Sequence, residues 1–181
     1  MKIKLPIMLI TLSCIVVLTC SWTTSLFPYM KGITCLESGQ VSEAIKYLKE
    51  AVELEPLKSQ NQGTLAVAYI QAGDWAKAWY HARQAVLCET CTNTDLKVFM
   101  LTYQHMVVDK GLNKIGTPYT VIEEALGLPD IWGHPVKEKH PDHAAYGLCF
   151  MTFTEGKLDT LETPGFPKLG TNTIKPQISR E

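Results

Sequence analysis

The apolar positions of this chain repeat at a shift of 34 residues. Gly39 returns as Gly73, Ala44 as Ala78, Ala51 as Ala85 and Val52 as Val86, while Cys35, Ile45 and Leu48 are followed one period later by Tyr69, Trp79 and Ala82. Within each period the apolar residues fall three and four apart, which is the spacing of one face of an α-helix. The pattern predicts helix throughout residues 29–110, with breaks near Ser38-Gly39, Pro56 to Ser59, Gly73 and Cys91 to Asn93. A period of this length implies hairpins of helices that stack, because neither hairpin buries its apolar face alone.

After two such hairpins, Leu96, Phe99, Met100, Tyr103 and Val107 recur at helical spacing within Asp95 to Lys110, and Gly111 stops the helix. No fourth partner follows, so this lone helix is expected to cover the open end of the second hairpin. From Asn113 the period is gone. Thr117 is expected to cap a helix that starts at Pro118, carries Val121, Ile122, Ala125 and Leu126 on its apolar face, and ends at Gly127 and Pro129. Tyr146 to Phe153 reads as one buried strand. The turn residues Thr154 to Lys157 lead to a second strand, Leu158 to Leu161, which makes an antiparallel hairpin. Pro164, Gly165, Pro167, Gly170 and Pro176 predict a disordered tail over 163–181. The fold expected is mainly α: two helix hairpins plus a capping helix, then a small α+β domain with a β-hairpin.

Two resemblances attach to these segments. Residues 28–111 resemble tetratricopeptide repeats, with Gly32, Ala44, Leu48, Ala51 and Pro56 at the signature places of a first unit, Ser25 to Pro56. Leu65, Ala66, Tyr69, Ala78, Ala82 and Ala85 take those places in a second unit, Ser59 to Glu89. The resemblance implies a scaffold that binds a protein or peptide on a concave face lined by first helices. Transferred by position, that groove holds Tyr29, Ile33, Leu36, Glu37, Gly63, Val67, Ile70, Gln71, Lys97, Leu101, Gln104 and His105. Trp75 and Trp79, four apart on one helical face, read as core. His81 and His105 read as isolated residues facing solvent or groove.

Residues 112–162 resemble the SmpA/OmlA (BamE-like) domain of envelope lipoproteins through Gly116-Thr117-Pro118, Ile122, Leu126-Gly127-Leu128-Pro129, Phe153 and Gly156-Lys157-Leu158. That domain packs two helices on a short antiparallel sheet and serves in scaffolding and envelope assembly, so no catalytic residue transfers. Pro118 replaces the family's Thr or Ser, and Gly133 and Pro135 break the first strand, so a degenerate or two-stranded version is expected here.

The start of the chain changes the picture. Lys2 and Lys4 precede 26 residues, Leu5 to Met30, without a charge. Residues 1–27 therefore read as a signal peptide or membrane anchor. Three endings compete: lipidation of Cys20 behind Val17-Leu18-Thr19, an uncleaved bilayer span, or cleavage among Ser21 to Ser25. Each places the remaining residues outside the cytoplasm, in the periplasm or cell envelope. Export favours pairing among Cys35, Cys88, Cys91 and Cys149, with Cys88 and Cys91 as a local disulfide candidate.

Other chemistries find little footing. With 17 basic against 18 acidic residues and no basic cluster, nucleic acid is not expected as a partner. No Ser-His-Asp set, phosphate-binding glycine loop or carboxylate pair is legible, so neither enzyme activity nor a cofactor is expected. The rival reading is a metal- or redox-responsive sensor built from Cys88, Cys91 and the loop holding His134, Glu138, His140, Asp142 and His143. Against it, the histidine spacing matches no common ligand motif, and Cys88 falls at the end of a helix rather than at its start.

Overall fold

The computed structural model describes residues 25–132 and 141–163. The predicted leader with its Cys20, the histidines His134 and His140, and the predicted tail beyond Thr163 lie outside the described residues.

The helices are α1 (Leu26–Glu37), α2 (Val41–Leu54), α3 (Ser59–Gln71), α4 (Trp75–Leu87), α5 (Asn93–Tyr103) and α6 (Tyr119–Leu126), with α5 running on as a π-helical turn, Gln104–Val108. The 34-residue period is visible in the backbone itself. After α1, Gly39 takes φ 75°, its N–H bonds Leu36 O, and the N–H of Gln40 bonds Cys35 O. One period on, Gly73 takes φ 77°, its N–H bonds Ile70 O, and the N–H of Asp74 bonds Tyr69 O. Both are the paired six-to-one and five-to-two bonds that close a helix on a left-handed glycine. Asp74 then caps α4 by accepting from Lys77 N. Thr92 and Asp95 bond each other's backbone N–H in a capping box that opens α5.

Small residues at the signature places let the helices approach. Ala44, Leu48, Ala51, Ala78, Ala82 and Ala85 are all fully buried. At Gly32 an added Cβ would sit 2.6 Å from Leu48 Cγ, so α1 and α2 meet with no room for a side chain there. Two apolar clusters result. One joins Tyr29 and Leu36 of α1 to Ala44, Leu48 and Ala51 of α2 and to Leu65, Ala68, Tyr69 and Ala78. The other starts at Ala66 and Trp79 and passes through Phe99, Met106 and Ile122 to Tyr146, Met151 and Leu158. The helical array and the C-terminal sheet therefore share one interior, with Trp79 stacked on Phe99 at 5.4 Å and Tyr119 edge-on to Phe153 at 5.2 Å.

That sheet has four antiparallel strands in chain order, β1 (Ile131–Trp132), β2 (His143–Tyr146), β3 (Cys149–Thr154) and β4 (Lys157–Glu162). The mainly α fold and the β3–β4 hairpin meet expectation. Three local expectations do not. Tyr146 to Phe153 is not one strand, because Gly147 at φ 61° reverses the chain and Tyr146 pairs with Cys149 across a two-residue turn. Glycine at the first central position is what a type II′ turn requires. The sheet is four-stranded rather than two-stranded: β2 begins at His143, ahead of that run, and Ile131–Trp132 pairs along its other edge as β1. Thr117 does not cap α6. Its hydroxyl donates to Lys114 O, and Pro118, extended at ψ 141°, occupies the cap position while it bridges Lys157 beside β4. Tyr119 N–H bonds Gly156 O and Leu158 N–H bonds Thr117 O, so sheet pairing decides where the helix begins.

Candidate partner-binding groove

The first helices of successive units lie side by side, since α3 packs against both α1 and α5. The closest approach is at Gly63. A Cβ there would overlap the carboxylate of Asp95, whose other oxygen is held 2.9 Å from Thr92 N. The capping box thus places a buried carboxylate against bare backbone and brings α5 tight onto α3.

This closeness corrects part of the expected groove. Gly63 is buried in the α3–α5 contact, and Tyr29 and Leu36 are buried between helices, with Tyr29 OH 3.4 Å from Thr64 Oγ1. None of the three offers surface to a partner. Ile33, Val67 and Ile70 are half-buried and rest on the core, so each keeps one edge open. Leu101 and His105 are half-buried, and Glu37, Gln71, Lys97 and Gln104 are exposed.

At the α5 end a feature emerges that helical spacing does not reveal. The π turn closes with Asp109 N–H bonding Gln104 O, five residues back. The extra residue in the turn buries Met106 and Val107 and sets His105 flat against Trp75, ring centroids 3.9 Å apart at 24°. Trp75 is half-buried here, unlike fully enclosed Trp79. Asp109 accepts from Gln104 Nε2 at 2.8 Å and lies 3.8 Å from His105 Nδ1. Val67, Ile70 and Leu101 with the Trp75–His105 stack thus supply apolar and aromatic surface. Lys97 and Asp109 supply one charge of each sign.

The other histidine, His81, faces neither solvent nor groove freely. It stacks on Tyr69 at 5.5 Å and its Nδ1 is 2.8 Å from Gln62 Oε1. Burial, aided by Lys49, lowers its pKa to about 4, so the ring is neutral and Nδ1 carries the proton it donates.

Of the residues of the sensor reading, the described ones are Cys88, Cys91, Asp142 and His143. Cys88 and Cys91 are free thiols rather than a disulfide, donating to Gln84 O and Thr92 O respectively. Burial and then the Asp95 carboxylate push both thiols up, away from the reactive thiolate. His143 is exposed and pairs with Asp142 at 2.8 Å. Among the described residues no three His, Cys, Asp or Glu side chains converge as metal ligands would.

Compared with known families, residues 36–78 match the model of the tetratricopeptide repeat, from the last turn of α1 through α2 and α3 into α4. No curated protein matches the chain. Tetratricopeptide repeats are protein-interaction and scaffolding units and generally carry no catalysis.

Proposed function

We propose that this chain is a membrane-anchored protein of the cell envelope that holds a protein or peptide partner in the groove of its first helices, as an assembly factor or scaffold. The observation that carries the binding role is that apolar Val67 and Ile70 of α3 and Leu101 of α5, with the Trp75–His105 stack, are only half-buried. Side chains of that kind, covered on one side and open on the other, suit the apolar face of an amphipathic helix or short peptide. The anchor rests on the 26 uncharged residues behind Lys2 and Lys4, with Cys20 as the lipidation site in the lipoprotein version. An envelope role draws on the resemblance of the sequence over residues 112–162 to SmpA/OmlA-like domains.

Gln71→Lys with Leu101→Lys is the test. Both positions face outward, and charges there oppose burial of a partner's apolar surface. The double variant is expected to keep its circular dichroism spectrum and lose cross-linked partner from envelope membranes. Partner capture that persists in the folded variant moves the binding surface off this groove. A Cys20→Ser chain that still takes up labelled fatty acid would remove the lipoprotein version.

A further inference from the structure

At its N-terminal end the helical array leaves an apolar surface that no other described element covers. Leu26 and Met30 are each 52% exposed and Phe27 is 66% exposed, all within the first two turns of α1. Phe27 and Met30 line a shallow recess of about 350 Å³ with Lys31, Thr34, Cys35 and Tyr47. Lys31 is the one charged residue in this lining. Its Nζ lies 4.5 Å from the centre of the Phe27 ring and 5.2 Å from that of Tyr47. A long cationic side chain lying over aromatic rings, with apolar neighbours beneath, is the composition of surfaces that sit at the headgroup level of a bilayer.

The sequence says what meets this surface. About 20 apolar residues cross a hydrocarbon core. Counted from Leu5, such a stretch ends near Thr24, yet the uncharged run continues to Met30. The surplus carries the exposed Leu26, Phe27 and Met30, and the first charge after it, Lys31, comes where a lipid phosphate would stand. Among the described residues no helix is long and apolar enough to span a membrane.

We infer that the N-terminal half of α1 lies in the headgroup layer of a phospholipid bilayer, with Leu26, Phe27 and Met30 inserted and Lys31 against lipid phosphate. The first hairpin is then a membrane-docked foot, and the groove opens beside the bilayer surface. This rests on the anchoring in the proposed function but not on the groove.

The full-length chain is reconstituted in vesicles of phosphatidylethanolamine and phosphatidylglycerol that carry a photoreactive phospholipid. Hydroxyl-radical footprinting compares Phe27 and Met30 with Leu57 and Leu128, which are 83% and 63% exposed. The expected result is modification of Phe27 and Met30 several-fold slower than their exposure relative to Leu57 and Leu128 implies, with lipid adducts on α1 that Lys31→Glu diminishes. Free modification of Met30 in embedded protein overturns the inference. Protection with cross-links between chains and no lipid adducts also overturns it, in favour of a second copy. Extraction of the chain by alkaline carbonate overturns the anchor as well. Gln71→Lys with Leu101→Lys must leave α1 protection unchanged, so failure of the groove reading is recognised separately.

Discussion

Arg83 and Asp130 form an ion pair across the contact between the second hairpin and the sheet, with Nη1 3.6 Å from Oδ2 and side chains only 5% and 11% exposed. Arg83 also donates to Leu128 O at 3.1 Å, and its guanidinium lies 5.3 Å from the centre of the Tyr146 ring. Asp130 accepts from Gly147 N at 2.7 Å and from Gln84 Nε2 at 3.3 Å. Burial pulls the Arg83 pKa down and Asp130 opposes that pull, so the pair persists only while both partners are present.

Asp130→Asn keeps the shape and the acceptor for Gly147 but leaves Arg83 as a buried cation without its counter-charge. It is expected to cost about 3–5 kcal/mol, the range for breaking a buried pair. Arg83→Met leaves Asp130 without its counter-charge in turn, but that carboxylate keeps its bonds from Gly147 N and Gln84 Nε2, so this variant should cost less. Urea denaturation of both variants checks the order, and equal losses would mean the charge is screened by solvent.

Gly63→Ala tests the approach of α5 to α3. The new methyl meets the Asp95 carboxylate, and either the capping box or the helix spacing must yield. A loss of about 1–3 kcal/mol follows from overpacking, read as a fall in melting temperature. An unchanged value would place Asp95 elsewhere in solution.

Ala78→Leu probes the same principle within the first cluster, where Ala78 is fully buried. The larger side chain is expected to cost about 1–3 kcal/mol. Full stability would mean the helix register is wrong.

His81 predicts how the fold responds to acid. Its folded-state pKa of about 4 lies below the ordinary 6.5, so the unfolded chain binds the proton more readily between these values. Its contribution is fully present above pH 6.5 and is lost as pH falls toward 4. Melting temperature should therefore drop across that window, and His81→Gln should flatten the slope. An identical slope in the variant would show that other groups set the acid response.

Cys88 and Cys91, both raised by burial and by Asp95, are expected to alkylate slower at pH 8 than a free model thiol. Asp95→Asn should speed them. Faster reaction than the model thiol in the parent would revive the redox reading.

The helical half was legible because its signals are local and repeated. Gly39 and Gly73 end α1 and α3 by the same bonds, and Ala44 and Ala78 occupy equivalent contacts. What escaped the sequence depends on partners distant along the chain. Arg83 looks like any surface arginine on an amphipathic helix until Asp130, in the loop before β1, closes over it. Gly147 sits inside an apolar run that reads equally as one strand or two, and Phe99 packed against it decides. Thr117 had the right chemistry for a cap and lost to pairing with Leu158. The half-buried state of Val67, Ile70 and Leu101 follows from helical period. The Trp75–His105 stack was not legible, because the π turn that aligns it leaves no mark in helical spacing.

The division of the interior has its own consequence. The boundary between the two apolar clusters runs through the second hairpin: Leu65, Ala68 and Ala78 side with the first hairpin, while Ala66, Trp79 and Ala82 side with the sheet. Cooperative units of unfolding should then ignore the junction near residue 111 where the repeat pattern ends. Severing the chain there would strip Phe99, Met106 and Val107 of their cover. The first hairpin, by contrast, can loosen while the half bearing the sheet stays intact. In hydrogen exchange, amides of α1 and α2 would open first, and those of α5 and β3 would open together.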